Sequence, residues 1–385
     1  MNPEQFELTA EQRHVADLAR DIARGEIAPF VAQWDRDGTF PRELYTKLAQ
    51  AGMMGILIPE EFGGAGAGYV AYALAIEELA RVDAGAAVTL SVHSMICSAI
   101  ERLGSPSQRK RWLPLLATGD CIAGFALTES EVGSDAANLR ATAHRDGDGY
   151  VLNGRKQWCT NGSYAAVVMS MFRTGGPGAH GISAFLVEGA APGMSVERVT
   201  EKLGIHTSNT CDLAFDGVRV PAEALLGEEG AGFVGALTAL TGGRIGIAAQ
   251  AVGILAACLD ESVAFAKDRM AFGKPIGAFE GVSFKIAQMA TDLDAARLLV
   301  YRAASLADAG KPFAVEASKA KLFASTAARK HASEALQIHG GYGYTTEFPV
   351  ERHYRDAKIT EIYEGTSEIQ QIVIARSLLG KIESL

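Results

Sequence analysis

The sequence has few of the features that define several protein classes. Only five cysteines occur among its 385 residues, and none forms a C-x-x-C pair. This odd number and wide spacing indicate reduced thiols in a cytosol rather than a disulfide framework or a zinc site. Basic residues number 36 against 45 acidic ones. We therefore expect no nucleic acid as the main partner, since that would call for a basic stripe.

Membrane and nucleotide-fold signatures are also scarce. The longest apolar run, IGIAAQAVGILAACL from Ile245, is interrupted by Gln250 and is too short to span a bilayer. The N-terminal MNPEQFELTAEQ is polar and acidic, unlike a secretory signal. No G-K-[ST] follows the glycine-rich EEFGGAGAG, and no Rossmann fingerprint is recognised between a strand and a helix. We expect a cytoplasmic protein without an inserted segment and without a nicotinamide site.

Three patterns follow one another along the chain. Residues 1–120 have helical periodicity, beginning with a possible capping box at Thr9 and Gln12. Residues 121–228 contain strand-length apolar runs with Asp-Gly and Asn-Gly hairpin signals. Residues 229–385 return to long helical segments, typical of an antiparallel bundle and an oligomer core. We predict an α+β, mainly helical fold with an N-terminal helical domain, a small β-barrel-like domain and a four-helix bundle.

The stretch ITEIYEGTSEIQ, residues 359–370, contains an unusual carboxylate. Glu364 stands between Tyr363, which can exclude water, and Gly365, which allows close approach of another molecule. These neighbours suit a base. The local sequence alone favours a plainer interpretation, a surface carboxylate at the N-terminus of a helix.

Three groups of motifs in order give a more specific indication. They are ALTESEVGSDAANL with RKQWCTNGS, then DRMAFGKPIGAFEG, then QIHGGYGYTTEFPVERHYRDAKITEIYEGTSEIQQIVIAR. Together, over nearly the whole chain, they resemble the acyl-CoA dehydrogenases, and the C-terminal half looks most like the short-chain and short branched-chain members. The sequence departs from the family pattern in two places. Ser130, Glu131 and Val132 replace a Pro-Gly run, and Glu280 stands where Gln is frequent.

The resemblance implies a reaction and roles. The family removes a proton from the α-carbon of an acyl-CoA and a hydride from the β-carbon, forming a trans-2-enoyl-CoA. Glu364 would be the base, since Gly243, the other position used in the family, offers no acid. The Glu364 N–H and a flavin ribityl hydroxyl would polarise the thioester carbonyl. Ser134, Arg244 and Gly365 would contact substrate, although Arg244 alone is equally explained by a structural ion pair.

The cofactor implied by the resemblance is FAD. Its binding residues would be Phe125, Leu127, Thr128, Ser134, Trp158, Thr160, Arg269, Phe272, Glu280, Gln337, Gly340, Gly341, Tyr363, Thr366 and Glu368. Without the family, simpler explanations are available. Trp158 would be a packed core residue, Arg269 a surface residue, and Gly340 or Gly341 the cap of a helix. No metal-ligand spacing is present, and neither His206 nor His339 is given a catalytic role.

Partners and alternatives also follow from the family. The implied partners are an acyl-CoA substrate, an electron-transferring flavoprotein and three further copies of the chain, in a homotetramer that shares its FAD sites between subunits. Alternatives are an enzyme for cyclic, aromatic or dicarboxylic acyl-CoA, an oxidase or flavin monooxygenase, and a catalytically silent flavin-binding relative. Pocket depth is expected to depend on the helix around Ser94 and Met95 and on residues near Arg244.

Overall fold

The computed structural model describes residues 8–380. It has helices in the N-terminal third, a β-rich middle and helices again at the C-terminal end, which confirms the predicted fold class. The N-terminal residues 1–7, on which part of the signal-peptide prediction depends, lie outside the described residues.

The N-terminal part contains six α-helices within the described residues from 8 onward. Thr9 and Gln12 form the predicted capping box, and Gly104 caps the fifth helix. The fourth and fifth helices are buried along almost their whole length and form the centre of this part. The six helices are α1 Ala10–Ile22, α2 Val31–Asp37, α3 Arg42–Gln50, α4 Gly68–Ala80, α5 Ala84–Leu103 and α6 Pro106–Ala117.

The middle part is a single eight-stranded sheet with the order β6-β7-β3-β1-β4-β5-β8, in which β2 pairs with β3 and β4. Its strands are β1 Ile122–Ala126, β2 Thr142–Asp146, β3 Gly149–Thr160, β4 Ala165–Arg173, β5 Ile182–Glu188, β6 Met194–Val199, β7 Thr210–Pro221 and β8 Leu225–Leu226.

One of the two predicted hairpin signals in this sheet is wrong. The Asp-Gly pair does form the turn between β2 and β3, where Asp146 pairs with Gly149. The Asn-Gly pair lies inside β3, at a register shift between Leu152 and Gly154. Gly154 has φ 140°, and a Cβ there would lie 2.5 Å from that of Ala141. The glycine therefore serves a bulge and a close backbone approach, not a turn.

The C-terminal part has three long helices and two shorter ones. The first of them is central and packs against α4, α5 and both other long helices. A two-stranded ribbon, β9 Met270–Ala271 and β10 Lys274–Pro275, follows this first helix. The five helices are α7 Gly232–Asp268, α8 Glu280–Asp308, α9 Ala314–His339, α10 Val350–Ile359 and α11 Ser367–Leu379.

Two expectations from absence need correction here. A G-x-G-x-x-G pattern does occur at residues 230–235, after β8 and across the start of α7, but β8 pairs antiparallel with β5, so no Rossmann unit is formed there. The apolar run from Ile245 is also part of a helix long enough to cross a membrane. Both α5 and α7 are long and apolar enough to cross a membrane. However, 89% and 94% of their most apolar segments are buried in the fold, as in core helices.

Candidate active site

A tight turn between α10 and α11 carries Glu364. The turn begins where the Tyr363 N–H donates to the carbonyl of Ile359 at 3.2 Å. Glu364 itself has φ 52°, a left-handed conformation that is uncommon for a residue with a side chain, and Gly365 follows at φ 92°. Thr366 then caps α11. Glu364 therefore lies two residues before the helix cap with both carboxylate oxygens buried, so the interpretation as a surface carboxylate is wrong.

The carboxylate of Glu364 points into the protein toward α7. Both its oxygens are buried, and neither has a hydrogen-bond partner among the described residues. A Cβ built on Gly243 would overlap Oε2 of Glu364 and lie 2.9 Å from Sδ of Met95. Only glycine at 243 leaves the carboxylate its place, which gives a steric reason for the absence of an acid there.

Burial sets the protonation of this carboxyl. Loss of water around it raises the pKa of Glu364 to about 7, against the opposing influence of Lys321 and Arg244. A base with a pKa near the working pH combines a usable fraction of carboxylate with useful basicity. The turn thus provides a dry carboxylate suited to accepting a proton.

Two buried cations flank the carboxylate. Arg244 is 6% exposed, its Nη1 lies 3.3 Å from Oγ of Ser318, and its Nε has no partner in residues 8–380. Burial lowers the pKa of Arg244 while Glu364 opposes that change. No ion pair within 4 Å links Arg244 to a described acid, so the structural ion-pair interpretation is wrong.

The second cation, Lys321, was missed by the sequence analysis. It is fully buried on α9, and its Nζ donates to the carbonyl of Gly365 at 2.7 Å. A sequence signal did exist, because Lys321 continues a stripe of buried small residues at helical spacing that includes Ala317 and Ala324. A lysine in such a stripe must have a partner.

Tyr363 anchors the turn to α7. Its hydroxyl donates to Oε1 of Gln250, whose Nε2 donates to the carbonyl of Ala84 at 2.7 Å. Gln250 is completely buried. In the sequence, Gln250 is recognisable only as a polar residue that interrupts an apolar run. In the fold it joins the turn that carries Glu364, the candidate catalytic turn, to the start of α5.

Five of the predicted flavin residues gather where β1 meets the last residues of β3, and this group is called the β1–β3 site below. Phe125 on β1 pairs directly with Thr160 on β3. Just beyond the strand end, the carbonyl of Thr128 accepts a hydrogen bond from the N–H of Gln157 at 2.8 Å, which fixes Leu127 and Thr128 beside Trp158. Trp158 has φ 56° and is 56% exposed. It is therefore available for stacking and is not the packed core residue of the alternative interpretation.

Hydrogen bonds fix the atypical TESEVGSD loop next to the β1–β3 site. Glu129 accepts from the backbone N–H groups of Arg140 and Ala141 at 2.7 and 3.0 Å. The buried Lys156 donates to Glu129 at 2.7 Å. Val132 is buried in the core, whereas Ser134 is exposed. The departure from the family pattern therefore still gives an ordered loop with an accessible serine.

Six other predicted cofactor residues lie together at the far end of α7. Arg269 is exposed, and its guanidinium lies over the ring of Tyr342, 5.5 Å from the centroid, next to Gly340 and Gly341. Phe272 is 95% exposed with φ 50°. Gln337 and Glu280 are exposed at the end of α9 and the start of α8. Arg269 is thus a surface residue in one copy of the chain, in a cluster with the other expected residues.

The structure separates this cluster from Glu364. Arg244, beside the catalytic turn, and Arg269 are 25 positions apart, and α7 is continuous between them up to Asp268. A helix rises about 1.5 Å per residue, so the two sites are about 37 Å apart along α7. Tyr363, Thr366 and the exposed Glu368 stay with the catalytic turn. The predicted site residues therefore form three groups, at the β1–β3 site, at the turn and at the end of α7.

The two histidines have structural partners. The Nδ1 of His206 lies 3.0 Å from the carbonyl of Asp35. The ring of His339 stacks on Phe265 with centroids 4.3 Å apart. Neither contact gives a reason to revise their exclusion from the catalytic group.

Comparison with known proteins identifies the family of the chain. Three family models match: the acyl-CoA dehydrogenase N-terminal domain over residues 9–120, the middle domain over 124–218 and the C-terminal domain over 230–379. An acyl-CoA dehydrogenase of Bacillus subtilis is 49% identical over 97% of this chain and 99% of its own length.

Solved structures give the same result. Butyryl-CoA dehydrogenase from Megasphaera elsdenii superposes with a TM-score of 0.95 at 44% identity, covering 97% of this chain and 99% of that one. A chain from a structure described as an electron-transferring flavoprotein of Acidaminococcus fermentans has a TM-score of 0.96 at 43% identity, covering 98% and 100%. The chain belongs to the acyl-CoA dehydrogenases, a family of FAD-dependent oxidoreductases.

Proposed function

We propose that the protein dehydrogenates a short-chain or short branched-chain acyl-CoA between its α- and β-carbons, with Glu364 abstracting the α-proton. One observation carries this proposal: a buried carboxylate without a hydrogen-bond partner in residues 8–380, facing the gap at Gly243. An α C–H is a weak acid, so its removal requires a base freed from water and a means to stabilise the resulting enolate. The first requirement is met by the burial of Glu364.

A donor for the enolate oxygen is also available. The N–H of Glu364 makes no backbone hydrogen bond to another described residue. The left-handed conformation of Glu364 separates this N–H from the hydrogen bonds of α10 and α11. It can therefore donate to the thioester oxygen, where negative charge develops as the proton leaves.

The residues of the β1–β3 site fit an FAD ring system. Bound FAD would supply the acceptor for the β-hydride. Thr128, Thr160 and Ser134 bring hydroxyls that make no hydrogen bond within the described chain, and Trp158 brings an exposed indole. Free hydroxyls beside an exposed aromatic ring are the donor set that a polar, stacking heterocycle requires.

FAD shared between subunits accounts for the distance between the groups. One dinucleotide cannot reach from the turn beside Arg244 to Arg269 of the same copy, because these two arginines are about 37 Å apart along α7. Arg269 would bind the pyrophosphate of a neighbouring copy, with Gly340 and Gly341 allowing its close approach. The exposed Phe272 and Tyr344, at 95% and 86%, would be covered by that neighbour. We therefore infer that at least two copies of the chain share each FAD site, within the homotetramer that the family resemblance implies.

The similarity to butyryl-CoA dehydrogenase supports a short acyl chain. Uncharged side chains reach the carboxylate from α4 and α5, where Tyr72 and Met95 are its neighbours. Both are uncharged, which suits a neutral acyl chain on that side of Glu364, whereas the buried cation Arg244 lies on the α7 side. The similarity to the Acidaminococcus chain supports an electron-transferring flavoprotein as acceptor. The cytoplasmic location stays a prediction.

The test is an absorbance spectrum of the purified protein followed by anaerobic addition of butyryl-CoA. Bleaching of flavin bands is the expected result, and a panel of acyl-CoAs would then rank chain length. Persistent flavin bands with every short-chain and short branched-chain acyl-CoA would contradict the proposed substrate class.

The shared cofactor site has its own test. Arg269→Ala should lose FAD on dilution, because a pyrophosphate would lose its charged partner. Arg302→Ala is a matched control, since Arg302 lies on α8 with its side chain 65% exposed and Glu316 3.7 Å away. Equal FAD retention by Arg269→Ala and the parent would refute the cross-subunit arrangement.

A further inference from the structure

The side-chain ammonium group of Lys321 lies in a part of the protein that water hardly reaches. It is fully buried, and its hydrogen bond goes to the neutral carbonyl of Gly365. A neutral acceptor does not balance a buried positive charge, so a negative charge nearby has to do so. Burial lowers the pKa of Lys321 to about 8, and among the charged groups around it Glu364 opposes this change most strongly.

The other charges around Lys321 come from three elements. Arg244 on α7 repels it, Glu361 lies in the turn, and Glu368 lies in the first turn of α11. Glu361 already pairs with Arg329 at 2.8 Å and with Lys358 at 2.7 Å. Glu368 is exposed and screened by water. The Glu364 carboxylate is therefore the charge that Lys321 balances.

Two tyrosines also face Glu364, Tyr72 from α4 and Tyr363 from the turn itself. Burial, with the charge of Glu364 in support, raises the pKa of both phenols above the usual range. Both rings are therefore neutral at any pH used for an assay. They exclude water from the carboxylate without competing with Lys321 for its charge.

The hydrogen bond of Lys321 is duplicated by another residue. Nε2 of Gln370 donates to the same Gly365 carbonyl at 2.8 Å. The turn thus keeps a donor on this carbonyl without Lys321. What Gln370 cannot replace is the positive charge.

We propose that Lys321 is a positioning residue for α-proton abstraction, holding the Gly365 carbonyl behind Glu364 and favouring the carboxylate form of that base by its charge. This inference rests on the proposed function of Glu364. In the step itself the α C–H bond breaks, its electron pair stays on the substrate, and the proton goes to a carboxylate oxygen of Glu364. Lys321 keeps its own proton.

The charge has a measurable consequence for pH dependence. Glu364 must be ionised to act, so kcat/KM falls as the pH drops through its pKa. Removing the Lys321 charge makes ionisation of Glu364 less favourable and moves this acid limb to higher pH. An opposite charge close to a carboxyl changes its pKa by about 1 or more, so we expect a move of about 1 pH unit and about a tenfold lower kcat/KM at pH 6.

The experiment compares pH profiles of kcat/KM for butyryl-CoA with a dye acceptor in the FAD-loaded parent, Lys321→Met and Lys321→Arg. Lys321→Met should show the moved limb, and Lys321→Arg should restore the parent profile. Lys319→Met is the matched control, because Lys319 lies on the same helix with its side chain 39% exposed and should leave the profile unchanged. A parent-like limb in Lys321→Met would overturn the inference.

Two further variants keep the result interpretable. Lys321→Gln is neutral and can still donate to Gly365, so it should show the same moved limb even if Lys321→Met does not fold; a parent-like limb there also overturns the inference. Glu364→Gln separates the two proposals. If it turns over normally, the base assignment fails; if it is inactive while the Lys321 variants keep the parent limb, only the role of Lys321 fails.

Discussion

Gly243→Ala is a test of the packing around the catalytic carboxylate. The added methyl group would occupy the place of Oε2 of Glu364 and lie 2.9 Å from Sδ of Met95. Ordinary contacts between such atoms are about 3.5–4.0 Å, so the carboxylate must move by about 1 Å or more. A displacement of this size costs about 100-fold in rate when it misaligns a catalytic group.

Stability should respond much less than activity. Alanine in place of a helical glycine contributes up to about 1 kcal/mol, while overpacking costs about 1–3 kcal/mol. These effects partly cancel, so we expect a folded, FAD-containing variant with kcat/KM reduced about 100-fold.

The assay is dye reduction with butyryl-CoA, normalised to flavin content and accompanied by a thermal melt. Gly235→Ala on the same helix is the control, because a Cβ there would meet only the flexible end of Leu103, 3.1 Å away. If Gly243→Ala keeps the parent kcat/KM within about twofold, the proposed position of the carboxylate is refuted.

Other predictions follow from the same contacts. Lys156→Met leaves the buried Glu129 without its cation and should destabilise the fold by about 3–5 kcal/mol, measured by denaturant unfolding; an unchanged midpoint would contradict this. Tyr363→Phe removes the hydrogen bond to Gln250 and should lower kcat several-fold with flavin retained, checked by dye reduction. In the parent, kcat/KM should rise with pH through about 7 as Glu364 ionises, and a flat profile from pH 5.5 to 8.5 would contradict the raised pKa.

Local sequence patterns predicted helix ends and the order of the parts well. The capping box at Thr9 and the glycine at 104 act within a few residues of themselves, so the chain alone determines them. The Asn-Gly pair in β3 was misjudged because its conformation depends on Ala141, a residue distant in sequence. Turn propensity carries no information about such an approach.

The candidate base was found through its motif, but its surroundings were not. Lys321, Gln250 and Met95 come from three different helices and meet Glu364 or its turn only after folding. Their roles depend on tertiary packing, which a one-dimensional pattern does not contain. The far separation of Arg269 from Glu364 also became evident only from the continuous course of α7.

The most direct test of the account is rapid anaerobic mixing of Glu364→Gln with butyryl-CoA. We expect a variant that retains FAD, since Glu364 acts on substrate, and whose flavin bleaching is slowed by about 10²–10⁴-fold, the usual contribution of a general base. Bleaching at the parent rate would contradict the central claim that Glu364 takes the α-proton.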